Sequence, residues 1–182
     1  LPKRWLQALD RKKIGRIALE NLGKNTGVLR GFWLDKQHPV FVRQGSAEEV
    51  SLFEKEAQIH QSLLIPGIVP FVTSGTAKDG LPYIATNALG QPACLRYQKR
   101  PAIVLVIEHL EDGLQLLWCL GKTGVSIARL DLEHCCVDAK DRLWLQNLSQ
   151  CKRASPGQAF EENFVAARKW CESQLNQIGV KH

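Results

Sequence analysis

The sequence predicts an α+β chain, with antiparallel strands around one helix in its first half and mainly helical structure in its second. Three observations carry that expectation. Apolar, β-prone runs recur between turn-rich segments as far as residue 87; one early segment switches to a helical period; and an apolar stretch from residue 101 is too long for a strand. At 182 residues the chain can build one substantial core or two small lobes. Hydrophobic residues make up 45% and charged residues 23%, which sets aside the disordered and fibrous classes.

The elements follow in order. Residues 2–13 place Trp5, Leu6 and Leu9 at helical spacing among basic residues, which predicts a short amphipathic helix. Residues 14–19, 28–33 and 40–44 are β-prone runs separated by turn-rich segments at 21–27 and 35–39, and predict three consecutive antiparallel strands. Residues 46–64 predict a helix, with Ser46 as cap and Glu49 three residues later as in a capping box. After Pro66 and Gly67, strands are expected over 68–74 and 82–87, joined by the Lys78-Asp79-Gly80 turn. Residues 88–100 read as an irregular linker. Residues 101–120 read as a long buried helix, ended by Gly121 and Gly124. A small hairpin is expected from 135–137 and 142–146, turning at 138–141. Ser155-Pro156 opens a closing helix in which Phe160, Phe164, Ala167 and Cys171 share one face, with Trp170 beside them.

The longest apolar stretches, 103–107 and 114–120, fall far short of the ~20 residues that a membrane-spanning helix needs. The chain opens without the apolar core of a signal peptide, so a cytoplasmic location is expected. Six scattered cysteines without a CxxC pair are expected to be reduced thiols. His134, Cys135 and Cys136 are adjacent, but neighbouring strand residues point to opposite faces and a second ligand pair is missing; no metal site is expected. The formal charge is +6, with basic residues concentrated over 3–16 and at Lys152 and Arg153. No helix-turn-helix, RNP-like aromatic pair or KH-type loop accompanies them, so no specific nucleic-acid binding is expected; membrane-surface contact through the basic N-terminus stays open.

Glu56 follows Leu52 and precedes Ile59 and Leu63 at helical spacing, which sets a carboxylate within an apolar stripe. Buried there it needs a cation, and Arg43 is the candidate; the alternative is a position at the stripe's edge, in water.

Six segments then stand in sequence order: Leu22-Gly23-Lys24-Asn25-Thr26-Gly27-Val28, Val40-Phe41-Val42-Arg43, Phe53-Glu54-Lys55-Glu56-Ala57, Pro82-Tyr83-Ile84-Ala85-Thr86-Asn87, the stretch from Ile127 to Cys136, and Leu143-Trp144-Leu145-Gln146-Asn147-Leu148-Ser149. With the order of elements, they resemble the eukaryotic-type protein kinase superfamily, including its bacterial serine/threonine members, over residues 14–149. The resemblance implies a reduced bilobal kinase-like fold over 1–182. Its parts would be an N-terminal helix (1–13), an N-lobe (14–87) with a five-stranded antiparallel sheet and one C-helix, a hinge (88–100), and a truncated, mainly helical C-lobe (101–182).

It also implies what has changed. Gly23 and Gly27 would be the glycines left in the loop over the nucleotide phosphates, with Asn25 at the middle glycine. Arg43 replaces the phosphate-binding lysine with a bulkier planar fork, Glu56 matches the C-helix glutamate, and Thr86 lies near the gatekeeper position. In the catalytic loop two registers remain. One places Arg129 at the catalytic aspartate and His134 at the metal-binding asparagine; the other places Asp131 and Cys136 there, with a deletion. Either loses a group needed for proton acceptance or magnesium. Asn147, with Leu148 and Ser149, replaces Asp-Phe-Gly and puts a neutral amide where a carboxylate would hold the metal. The segment after Ser149 is too short for an activation segment and the later helices. A compact second lobe is similar also to the lipopolysaccharide-core kinases, in which histidine can take the asparagine position, as His134 would.

The expected function is therefore that of a pseudokinase: a regulatory or scaffolding domain that binds another protein, with ATP and magnesium binding weak or absent. The alternative is an atypical kinase acting on a sugar, lipopolysaccharide-core or protein substrate, with Asp131 as base and Asp138 contributing to an unusual metal site.

Overall fold

The computed structural model describes residues 20–21, 28–33, 38–76, 80–98 and 101–179, with side chains from residue 39 onward. The helix expected over 2–13, the strand over 14–19, and Lys78 and Asp79 of the expected turn lie outside the described residues. Among the described residues the chain is mixed α+β, with three antiparallel sheets and four α-helices. It divides into two compact units, Leu1–Gln61 with Val69–Ala88, and Ser62–Ile68 with Leu89–His182.

In the first unit, β1 (Glu20–Asn21), β2 (Val28–Trp33), β3 (His38–Gln44), β4 (Phe71–Thr76) and β5 (Pro82–Asn87) pair antiparallel in the order β1-β2-β3-β5-β4. β3 lies between two partners, with Val42 opposite Leu29 on one side and Ala85 on the other. Val40, Phe41 and Val42 are all buried, as a continuous apolar run at a sheet's centre should be. β5 keeps its expected bounds. β4 begins three residues later than expected, after Pro70, which has no N–H to donate to a ladder. Its register shifts between Phe71 and Thr73.

A single 3₁₀ turn, Ala47–Glu49, leads into α1 (Val50–Ser62). The Ser46 N–H donates to Oε2 of Glu49 at 2.7 Å, which closes the helix start and holds the Glu49 carboxyl below its usual range. The buried face is Phe53, Glu56, Ala57, Ile59 and His60. Leu52, expected in that stripe, is 55% exposed, because the larger Phe53 takes the core position against Ala57 and Ile84.

The second unit contains β6 (Gly90–Pro92), the single turn α2 (Ala93–Arg96), α3 (Ile103–Lys122), β7 (Val125–Ile127), a 3₁₀ turn Leu132–His134, β8 (Cys135–Asp138), β9 (Leu143–Leu145), β10 (Cys151–Arg153) and α4 (Pro156–Gln177). β6, β8 and β9 form one antiparallel sheet, and β7 pairs with β10. The stretch expected to be an irregular linker thus carries a strand and a helical turn. A Cβ on Gly90 would stand 1.8 Å from the Val137 carbonyl oxygen, so β6 reaches β8 only because that residue is glycine. β7 and β10 had no recognisable sequence signal: each is three residues long.

α3 extends two residues beyond the expected end. Gly121 lies inside it, against Phe160, and Gly124, at φ +68°, makes the turn that follows. Ser155 caps α4, its hydroxyl accepting the Gln158 N–H, as expected. The buried face of α4, however, is Ala159, Asn163, Ala166, Trp170 and Gln174. Phe164, expected on the inner face, is 67% exposed. The inner stripe lies one residue earlier, about 100° around the helix, because Asn163 and Gln174 meet buried polar partners that the apolar pattern does not reveal. α3 and α4 run antiparallel: Asn163 bonds Leu117, Phe160 lies against Gly121, and Trp170 against Gly113.

Candidate functional site

In the first unit β3 delivers Arg43 and α1 delivers Glu56. Glu56 is 3% exposed, and the Arg43 guanidinium bonds its Oε2. The guanidinium also lies over the Phe53 ring, 4.4 Å from its centroid. The apolar stripe thus admits a carboxylate because a cation from the adjacent strand meets it, and the alternative of a solvated Glu56 is set aside. A Cβ at Gly45 would come within 2.5 Å of Phe53, so the turn after β3 stays close to α1. Thr86 is buried on β5, opposite Phe41 of β3 and Phe71 of β4. Gly23 and Gly27 lie outside the described residues.

In the second unit Arg129, Asp131, His134 and Asn147 come together around the β8–β9 hairpin. The backbone N–H groups of Gln146 and Asn147 both donate to the His134 carbonyl oxygen, at 2.9 and 3.0 Å, and hold the exit of β9 beside the entry to β8. Asp131 precedes the 3₁₀ turn and its carbonyl accepts the His134 N–H. Its carboxylate is paired with Arg129, Nε to Oδ1 2.6 Å. Asn147 turns its Oδ1 back to the Ser149 N–H at 2.9 Å, and Leu148 is fully buried. Nδ1 of His134 is buried without a hydrogen-bond partner among the described residues.

The hairpin itself is built by carboxylates. Asp138 accepts the N–H groups of Lys140 and Arg142 through Oδ1 and the Trp144 indole through Oδ2. Although burial works to raise it, these donors hold the Asp138 carboxyl below its usual range. The Arg142 N–H is thereby taken, which is why β9 starts at Leu143. Asp141 adopts φ 59° in the turn and pairs with Arg96 through two bonds. Asp112 on α3 accepts both the Arg142 guanidinium and the Leu143 N–H.

Two buried polar groups of the second unit were not singled out in the sequence. His109, fully buried on α3, bonds the Asp141 carbonyl through Nε2 at 2.7 Å and the Tyr97 hydroxyl through Nδ1 at 2.9 Å. A carbonyl can only accept, so Nε2 carries a proton, while the Tyr97 hydroxyl, which has one hydrogen, donates to Oε1 of Gln174 at 3.0 Å and lies 2.9 Å from Nδ1. Asn163, 2% exposed, accepts the Ile127 N–H through Oδ1 and donates through Nδ2 to the carbonyls of Leu117 and Val125. A lone histidine in an apolar helix and an asparagine among charged residues carry no local pattern that would have marked them.

Cys135 and Cys136 are buried, and burial pushes the Cys135 thiol well up and the Cys136 thiol to about 12, so both stay protonated. All six cysteines are free. Among the described residues no group of three or more His, Cys, Asp or Glu side chains is placed to hold a metal ion, and no helix is long and apolar enough to cross a membrane. No protein-family model matches the chain, and no curated protein sequence matches it.

Proposed function

We propose that the chain is a pseudokinase: a kinase-like framework that acts by binding another protein, not by transferring phosphate. The observation that carries this reading is Asn147. At the position where the resemblance calls for a metal-holding carboxylate there is a neutral amide, and its oxygen already accepts the Ser149 N–H. An amide oxygen engaged in this way is a poor ligand for a hard divalent cation bridging phosphates. The Arg43–Glu56 pair adds support, since the resemblance pairs a cation and a glutamate at these positions. The Arg43 side chain is spent between Glu56 and the Phe53 face, which leaves its fork poorly disposed toward phosphate.

The competing reading, an atypical kinase with Asp131 as base and Asp138 at a metal, has less support. Oδ1 of Asp131 is engaged by Arg129, and both oxygens of Asp138 are occupied by the hairpin. The test is a thermal shift with ATP, with and without magnesium or manganese. The pseudokinase reading expects little or no metal-dependent rise in melting temperature, because only a ligand that binds the folded state stabilises it. A metal-dependent rise, with phosphate incorporation abolished by Asp131→Asn, overturns it.

A further inference from the structure

The second unit exposes an apolar face that its own packing leaves uncovered. Leu114 and Trp118 on α3 and Phe164 and Val165 on α4 are 37%, 57%, 67% and 50% exposed. Between the helices lies an open groove of about 620 Å³, lined by Leu114, Trp118, Phe160, Phe164 and Ala167, with Glu161 as its one charged lining residue. A contiguous exposed apolar surface centred on tryptophan and phenylalanine marks an interaction site more often than chance.

The charges around it say what covers it. On α3 the exposed stripe reads Glu111, Leu114, Trp118, Lys122, and on α4 it reads Glu161, Phe164, Val165, Arg168, each at helical spacing on one face. Both stripes therefore run acid, apolar, apolar, base. Glu111 and Lys122 stand equally far on either side of the midpoint between residues 116 and 117, and Glu161 and Arg168 on either side of the midpoint between 164 and 165. Asn163 is bonded to Leu117, so the two midpoints sit at the same level of the antiparallel helix pair to within about one turn. The Lys122 ammonium lies 5.2 Å from the centre of the Trp118 ring, which puts that charge at the edge of the apolar centre.

A pattern of this kind is complementary to itself turned end over end. We infer that this face is the interface of a homodimer, with α3 antiparallel on α3 and α4 antiparallel on α4 of the second copy, about a twofold axis crossing near residues 116–117 and 164–165. At that register Trp118 of one copy meets Leu114 of the other, Phe164 meets Val165, and each glutamate faces a base: Glu111 to Lys122 and Glu161 to Arg168. A single isologous contact thus buries the exposed aromatic residues and pairs all four charges. The inference does not rest on the kinase-like reading; nucleotide binding and self-association fail or succeed separately.

Sedimentation velocity of the whole chain over a concentration series tests it. The wild type is expected to dimerise. Trp118→Glu and Phe164→Glu, both at exposed positions, should each weaken the dimer by about tenfold or more while the far-ultraviolet circular dichroism stays unchanged. Glu111→Lys and Lys122→Glu should each weaken it about threefold or more, and the double exchange should restore it, since it rebuilds the same pair with the charges reversed. Any one of three results overturns the proposal: a wild type that remains monomeric at about 100 µM, as it would if a lipid surface or another apolar ligand filled the groove; a dimer indifferent to both aromatic variants; or a double charge exchange no better than its singles.

Discussion

Asn163 offers the sharpest test of how the second unit holds together. Its side chain makes three buried hydrogen bonds, to the Ile127 N–H at 2.9 Å and to the Leu117 and Val125 carbonyls at 3.0 Å each, tying α4 to the end of α3 and to β7. The amide assignment is forced, because only one orientation matches an acceptor to the N–H and donors to two carbonyls. Asn163→Ala removes all three bonds, at about 1 kcal/mol each, and orphans the buried Ile127 N–H for about 1 to 3 kcal/mol more, partly offset by relaxation or an entering water. The expected loss is about 3 to 5 kcal/mol, or roughly 6 to 20 °C in melting temperature for a chain of this size. Asn163→Asp should fare little better, since it keeps the acceptor for Ile127 but sets a carboxylate against two carbonyls. Urea unfolding followed by tryptophan fluorescence reads the effect through Trp170, on the same helix. Lys169→Ala, exposed on α4, is the control and should stay within about 0.5 kcal/mol of wild type. A cost below about 1 kcal/mol for Asn163→Ala would refute the claim that this network holds the three elements in register.

Two further outcomes follow from the buried charges. Arg43→Ala leaves the Glu56 carboxylate buried without its cation and should cost about 3 to 5 kcal/mol in denaturant unfolding, whereas the apolar double exchange Arg43→Met with Glu56→Leu should cost much less; equal costs would show that the pair is not coupled. For His109, burial lowers the pKa against the opposing pull of the Asp141 carbonyl and the nearby carboxylates of Asp112, Asp141 and Glu108. The unfolded chain therefore binds the extra proton first. The stability that neutral His109 contributes is complete above its unfolded value of about 6.5 and falls as the pH drops through the folded value. Urea midpoints at pH 7.5 and 5.5 should differ more for the wild type than for His109→Gln, and an identical pH dependence would contradict this assignment.

Sequence patterns alone identified the elements that announce themselves locally. The Ser46–Glu49 capping box, the uninterrupted β5 run, the long apolar α3 and the Ser155-Pro156 start of α4 each depend on neighbours within a few residues, so local rules were sufficient. Glu56 was legible for a related reason: a carboxylate inside an apolar helical stripe demands a cation, and Arg43 was within the same unit. Tertiary structure decided what pairs over long distances. β6, β7 and β10 are three residues each and exist because a partner strand supplies their hydrogen bonds. The inner face of α4 was decided by where Asn163 and Gln174 found partners, not by hydrophobicity, and that rotation is what turns Phe164 outward. Periodicity counts apolar side chains, but a buried amide with every bond satisfied, as in Asn163, belongs to the core as firmly as a leucine, and only the assembled backbone shows where those bonds are waiting.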